Sequence, residues 1–255
     1  MLKRISALAL ALMLLYGCAA AGALNTVAPL EGVAVYPEGA AEETAVYVYR
    51  YSYPQVEATD ESAAEAAETI NALYQYLVSD AVSFKVPMYG GMMPEGEKAE
   101  TVIETQVTCS SELWYSVLVR TTTLMMGDAS EVYSAQVFAT STDKPGNVIT
   151  LPYLLGLLAE DESDTWLQDR QTEKANECVR QFVWAALNER AAAGEITLAE
   201  EMDYEWFTAL FNPEEEFYLD ERGEPVFFVQ PGMVCDVSSG LLLFPLTIEE
   251  IEDEL

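Results

Sequence analysis

The stretch "AVYVYRYSYPQVEATDESAAEAAETINALYQYL", residues 45–77, changes its apolar period halfway along. From Tyr47 to Tyr53 every second residue is a tyrosine, so an extended chain sets four phenols on one face and Val46, Val48, Arg50 and Ser52 on the other. Pro54 lacks an N–H and is read as the end of the ladder. Beyond it, Ala63, Ala66, Ile70, Leu73, Tyr74 and Leu77 recur at helical spacing, and Ser62 with Glu65 has the separation of a capping box. A strand running into such a helix predicts a helix packed on a sheet. The phenols then have two readings. Exposed, Tyr47, Tyr49, Tyr51 and Tyr53 are candidate binding residues that could stack on sugar rings; buried, they are the sheet face beneath the helix.

The pattern continues outward from this unit. A short strand is expected at Val33 to Tyr36, ahead of an acidic turn opened by Pro37. A Gly-, Met- and Pro-rich loop at 87–96 leads to three strands, "TVIETQVT", "LWYSVLVRTTTLMM" and "VYSAQVFATS", whose short connections predict an antiparallel meander. A turn at 143–147, the strand "VITL" and a short apolar helix at 151–158 follow. Residues 163–192 form a long helical pattern closed by Gly194, with Ala175, Cys178, Val179, Phe182, Ala186 and Leu187 as its apolar stripe, and a second helix covers about 201–211. The hairpin "EFYLDERGEPVFFVQP", the strand "GLLLFPLTI" and an acidic tail complete the chain. The expected class is α+β, antiparallel sheets packed by a few helices, in a body at 33–255 that admits a division into 33–125 and 126–255.

Lys3 and Arg4 precede an apolar run from Ile5 to Tyr16, the anatomy of a secretory signal peptide. The run ends in Leu15-Tyr16-Gly17-Cys18, which resembles the lipobox of bacterial lipoproteins, where the cysteine becomes the lipidated N-terminus; Tyr16 is an unusual occupant of its place. The expected product loses residues 1–17, carries lipid on Cys18, and uses residues 18–32 as a flexible tether outside the cytoplasmic membrane. The cleaved leader takes two positive charges with it, moving the net charge from −31 to −33.

There are 43 Asp and Glu against 12 Lys and Arg, which excludes nucleic acid and anionic lipid surfaces as natural partners and favours cationic ones. Histidine is absent, and with it the commonest general base and zinc ligand. The other three cysteines, Cys109, Cys178 and Cys235, form no CxxC pair, so neither a disulfide framework nor a metal site is expected. No cofactor is expected, and no residue is assigned a catalytic role. Ser141 and Lys144 spell S-x-x-K without the companion motifs of that chemistry, and the runs Glu214-Glu215-Glu216 and Asp220-Glu221 read as solvated turns. Gly90-Gly91 is expected in a flexible connector, with a ligand lid as the alternative.

Four segments carry a resemblance: "YPQV" at 53–56 with "INALY" at 70–74, "VYSAQVFATSTDKPGNVITLPYLL" at 132–155, and "FYLDERGEPVFFVQPG" at 217–232, closed by the strand from Gly240 to Ile248. In these the chain resembles an uncharacterised extracytoplasmic domain family of Gram-positive bacteria, found also in the outer half of a lysozyme-responsive anti-sigma factor and beside a peptidoglycan deacetylase domain. Many relatives carry a glycine-rich, histidine-containing turn where this chain has "MMGDASEV", Met125 to Val132. The resemblance implies an envelope-facing α+β fold without established catalytic residues, in some relatives a receptor for muramidases. Composition, lipobox and resemblance together lead to a lipid-anchored, non-catalytic binding module for an envelope component such as peptidoglycan, or for a cationic, muramidase-like wall-degrading protein. The alternatives are a peptidoglycan-active enzyme or accessory domain using Asp and Glu, and a purely structural envelope protein.

Overall fold

The computed structural model describes residues 22–141, 145–157 and 165–255, so Cys18 and the leader lie outside the described residues. The elements in order are β1 (Leu24–Tyr36), β2 (Tyr47–Ala58), α1 (Ala64–Asp80), α2 (Val86–Met92), β3 (Ala99–Ser110), β4 (Trp114–Met125), β5 (Asp128–Ala139), α3 (Leu151–Leu154), α4 (Thr165–Ala192), α5 (Tyr204–Leu210), β6 (Phe217–Leu219), β7 (Pro225–Val229), β8 (Leu242–Pro245) and α6 (Ile248–Glu252). Strands β1 to β5 form one sheet in sequence order, and β6 to β8 form a second, antiparallel one. The class is α+β, as the sequence predicts. One pair departs from the antiparallel rule: β2 and β3 run parallel over Tyr47–Tyr51, because α1 and α2 carry the chain back across the sheet between them.

The first strand corrects the extent of the tether. Residues 24–32 pair with β2 from Leu24 opposite Ala58 onward, and the residues that suggest a loop are instead fitted to the sheet. Gly32 faces Tyr51, whose hydroxyl oxygen would lie 2.5 Å from any Cβ placed there. Pro29 sits in a bulge where Ala28 and Pro29 oppose Pro54 alone, so the prolines that cannot donate to the ladder share its one irregular step. The ladder therefore runs through Pro54 to Ala58 instead of ending there.

Asp60 caps the 3-10 turn Glu61–Ala63 that leads into α1, accepting from the Ser62 amide, and α1 itself starts at Ala64 without a side-chain cap, so the Ser62/Glu65 box does not form. It buries Ala66, Ala67, Ile70 and Tyr74. The expected loop at 87–96 is helical as far as Met92: a π-helical turn at Ala81–Lys85 joins α1 to α2, and only residues beyond Met92 leave the helix. Gly90 shows why a glycine can serve inside a helix here, since an added Cβ would stand 2.3 Å from the Tyr36 ring. Beyond the turn Met126–Gly127, whose residues both adopt positive φ, β5 pairs with β4 along its whole length. A division between residues 125 and 126 would cut this hairpin.

The five-stranded sheet has a core on each face. One holds the tyrosines of β2, Ile103, Tyr115, Val117, Val119 and Phe138 under α1. The other, at the Cys109, Val137 and Ala139 end, packs against the second sheet and α4. Ser116 joins the two sheets: its buried hydroxyl accepts from the Leu219 amide at 3.0 Å and from Thr108 at 2.9 Å. Gln230 closes the edge of β5 by exchanging two bonds with the Tyr133 backbone, at 2.7 and 2.8 Å, as a neighbouring strand would. Along α4 the fully buried residues are Ala175, Val179, Val183 and Leu187, spaced by four; Cys178, Phe182 and Ala186 flank that stripe half-buried. The acidic tail is helix α6, with a capping box between Thr247 and Glu250.

Paired substitutions in α2 test the fit of Gly90. Gly90→Ala is expected to destabilise the protein by about 1–3 kcal/mol through the Tyr36 clash, whereas Gly91→Ala, whose nearest neighbour is 3.9 Å away, gains up to ~1 kcal/mol of helix propensity. Thermal unfolding followed by circular dichroism should move in opposite directions for the two.

Candidate functional site

The phenol row is where the sequence places a candidate platform, and the structure places it inside. Tyr47 is 2% exposed and Tyr49 and Tyr53 are 6% exposed, while Tyr51 is half-buried over Gly32. Period two puts all four on the face that α1 covers. Tyr53 stacks on Tyr74 with centroids 5.1 Å apart, and Tyr74 meets Phe138 edge-on at 6.1 Å. The Tyr47 hydroxyl donates to Thr101 at 2.8 Å, and Thr101 is linked to Thr123 at 3.2 Å. Burial pushes the Tyr47 and Tyr49 phenols up. Rings so enclosed have no face to offer a sugar; they are the core, which corrects the binding assignment for Tyr47, Tyr49 and Tyr53.

The opposite face of the sheet carries the charges. Arg50 bridges Glu42 at 2.6 Å and Glu100 at 2.7 Å, and Arg120 bridges Glu131 at 2.7 Å and Glu104 at 3.3 Å. Tyr133 donates to Glu131, and burial together with that carboxylate pushes its phenol up to about 12. Each arginine is shared by two carboxylates, so these clusters remain anionic. They are partly exposed, and all but Glu42, which lies in the turn before β2, are on strands, so these ion pairs add little stability.

The acidic runs are partly engaged by amide donors. Asp220 accepts from the amides of Arg222 and Glu224 at 2.8 and 3.0 Å, which fixes the hairpin turn at Gly223. Glu214 accepts from Asn176 at 2.7 Å. Glu216 accepts from the Asn212 amide at 2.9 Å, and its burial outweighs that bond and raises its pKa. Among the described residues no group of three or more His, Cys, Asp or Glu side chains could hold a metal ion. Cys109, Cys178 and Cys235 are free thiols, and burial pushes the first two up, away from the thiolate that nucleophilic chemistry needs. Ser141 donates to the Glu112 carbonyl at 3.0 Å, while Lys144 lies outside the described residues. Gly90 and Gly91 are in a helix, so they form no lid.

Also among the described residues, no helix is long and apolar enough to cross a membrane. The arrangement defines an α+β domain of two packed sheets whose charge lies on its surface. No protein-family profile matches the chain, and no curated protein does. Its structural neighbours are DUF3298 family proteins, an uncharacterised domain family, in agreement with the sequence resemblance to an uncharacterised domain. One, from Pseudomonas aeruginosa PAO1, is 9% identical over 92% of this chain and 95% of that one, with a TM-score of 0.52. Another, from Bacteroides fragilis NCTC 9343, is 14% identical over 93% and 94%, with a TM-score of 0.49. The likeness to the first is one of fold.

Burial fixes what substitutions in the row should do. Tyr53→Ala is expected to cost about 3–5 kcal/mol in chemical denaturation. Tyr74→Phe should be neutral or stabilising by up to ~1 kcal/mol, because the Tyr74 hydroxyl is buried with no hydrogen-bond partner among the described residues. Glu216 supplies a pH test. Its folded pKa is raised, so its contribution favours folding most below the ordinary carboxylate range and declines as pH rises through the folded value. Glu216→Gln should therefore unfold at higher temperature than the parent at neutral pH, and the gap should close on acidification.

Proposed function

We propose that this protein is a lipid-anchored extracytoplasmic lipoprotein whose folded body acts by binding a cationic wall-degrading protein. The observation that carries the reading is the charge: if every Lys and Arg were neutralised by one acid, 31 carboxylates would still be unmatched. A surface of that kind attracts polycations from beyond the first contact shell and repels nucleic acid, anionic lipid and further copies of itself.

The placement at the membrane is supported by Lys3-Arg4, the apolar run and Leu15-Tyr16-Gly17-Cys18. Lipid on Cys18 would supply two acyl chains, enough for stable anchoring where one chain gives only reversible association. The choice of a muramidase-like partner is supported by the resemblance of segments 53–56, 70–74, 132–155 and 217–232 to a domain family found also in the outer half of a lysozyme-responsive anti-sigma factor. A binding role also accords with the buried phenols, the raised thiols and the acids committed to turns.

Two measurements test this reading. Cys18→Ser should move the protein from the membrane fraction to the soluble fraction, and mass spectrometry of the parent should find a diacylated cysteine at the new N-terminus; an intact leader on cytosolic protein would overturn the anchor. Hen egg-white lysozyme, a cationic muramidase, should bind the full chain with an affinity that falls at least tenfold between about 50 and about 300 mM salt. No binding at low salt would overturn the partner.

A further inference from the structure

The helical segment from Ala81 to Met92 exposes the residues an ordinary helix would bury. Phe84 is 69% exposed, Met88 50% and Met92 70%. They recur every fourth residue on the side opposite Val86 and Gly90, which are buried against the sheet. Tyr76, 66% exposed, lies on α1 about two turns before Phe84. Tyr89, itself partly exposed, is anchored by its ring 5.9 Å from Tyr47. A stripe of this kind on a chain this acidic is an anomaly that solubility alone would remove.

Its surroundings decide what fits it. Glu95 and Glu97 follow Met92 directly and are exposed. Glu38 and Glu43 are exposed in the turn that follows Tyr36, the residue whose ring lies on Gly90, and Lys98 binds the Glu43 carbonyl, drawing the two loops together. The stripe is thus an apolar centre beside exposed carboxylates that form no ion pair among the described residues. A second copy of this chain would bring the same carboxylates against them, and a lipid surface is placed wrongly: the stripe sits at the Tyr36, Tyr47 and Ala99 end of the sheet, whereas the chain enters it at Leu24, twelve strand residues or roughly 40 Å away. Flexible thioethers suit a partner whose apolar side chains are not fixed in shape.

We propose that Phe84, Met88 and Met92, with the acids beside them, form the docking surface for a cationic amphipathic polypeptide face, leucine-like side chains seated on the stripe and lysine or arginine on Glu38, Glu43, Glu95 and Glu97. This rests on the binding role proposed above and names its contact surface.

The test uses the full chain with carbon-13 methyl-labelled methionine, a synthetic amphipathic peptide of leucine and lysine as probe, and the exposed triple variant Phe84→Gln, Met88→Gln, Met92→Gln. The variant should keep the parent's melting temperature and bind the peptide roughly tenfold or more weakly, the loss of one buried anchor's worth of affinity. The Met88 and Met92 methyl signals should shift on titration, and Glu95→Gln with Glu97→Gln should flatten the salt dependence. Equal binding by parent and variant, or unmoved Met88 and Met92 signals, would overturn the surface while leaving the binding role intact. Failure to bind either the peptide or lysozyme would overturn both. A concentration-dependent dimer, or attachment to phosphatidylcholine vesicles, that the triple variant abolishes would show the stripe taken by a second copy or by lipid, and would overturn the proposed partner.

Discussion

The fold depends on one constraint: β2 must put its tyrosines under α1. Period two sends the phenols to a single face, and that face is too large to leave in water, since each ring covers more apolar area than an aliphatic side chain. Tyr53 stacked on Tyr74, with Phe138 behind, ties the helix to the strand that precedes it and to β5 at the far side of the sheet. Once α1 is fixed there, the chain returns for β3 parallel to β2 over five residue pairs, and β3, β4 and β5 follow as hairpins. The second sheet is added through Ser116 and Gln230, two polar side chains that satisfy backbone groups across the junction.

The same burial shifts the titration of the groups it encloses. Burial moves the Tyr47 phenol, the Cys109 and Cys178 thiols and the Glu216 carboxyl toward their neutral forms. None faces a charged partner that would reverse the direction, as a poised nucleophile requires. Charged residues are outside, on the open sheet face and in turns.

Most of this was legible in the sequence where local periodicity and burial agree. The tyrosine strand, the meander, the hairpin at Gly223 and α4 follow from period and turn chemistry, and the buried reading of the phenols was one of the two that the row allows. The misreadings have a common physical origin: residues that favour loops in isolation were accommodated by a partner. Gly32 lies beneath Tyr51, Pro29 faces Pro54 in a bulge, and Gly90 fits against Tyr36, contacts made between segments that a local window does not join. The parallel pairing of β2 with β3 has no local signature in the two strands themselves. The stripe at Phe84, Met88 and Met92 was present as spacing, yet its exposure depends on Val86 and Gly90 taking the inward side.

The five-stranded sheet treats its two borders differently. At β5 the vacant backbone groups are taken up by Gln230 and by residues 147–149 folding back along the strand. At β1 no further strand is present among the described residues, and the border is interrupted only by the Pro29 bulge and by Glu31. Template-driven fibril growth needs a long, flat, unbroken row of donors and acceptors. The kink divides the β1 row into two shorter runs, Leu24–Val27 and Leu30–Tyr36, so an incoming chain meets a broken template at that border.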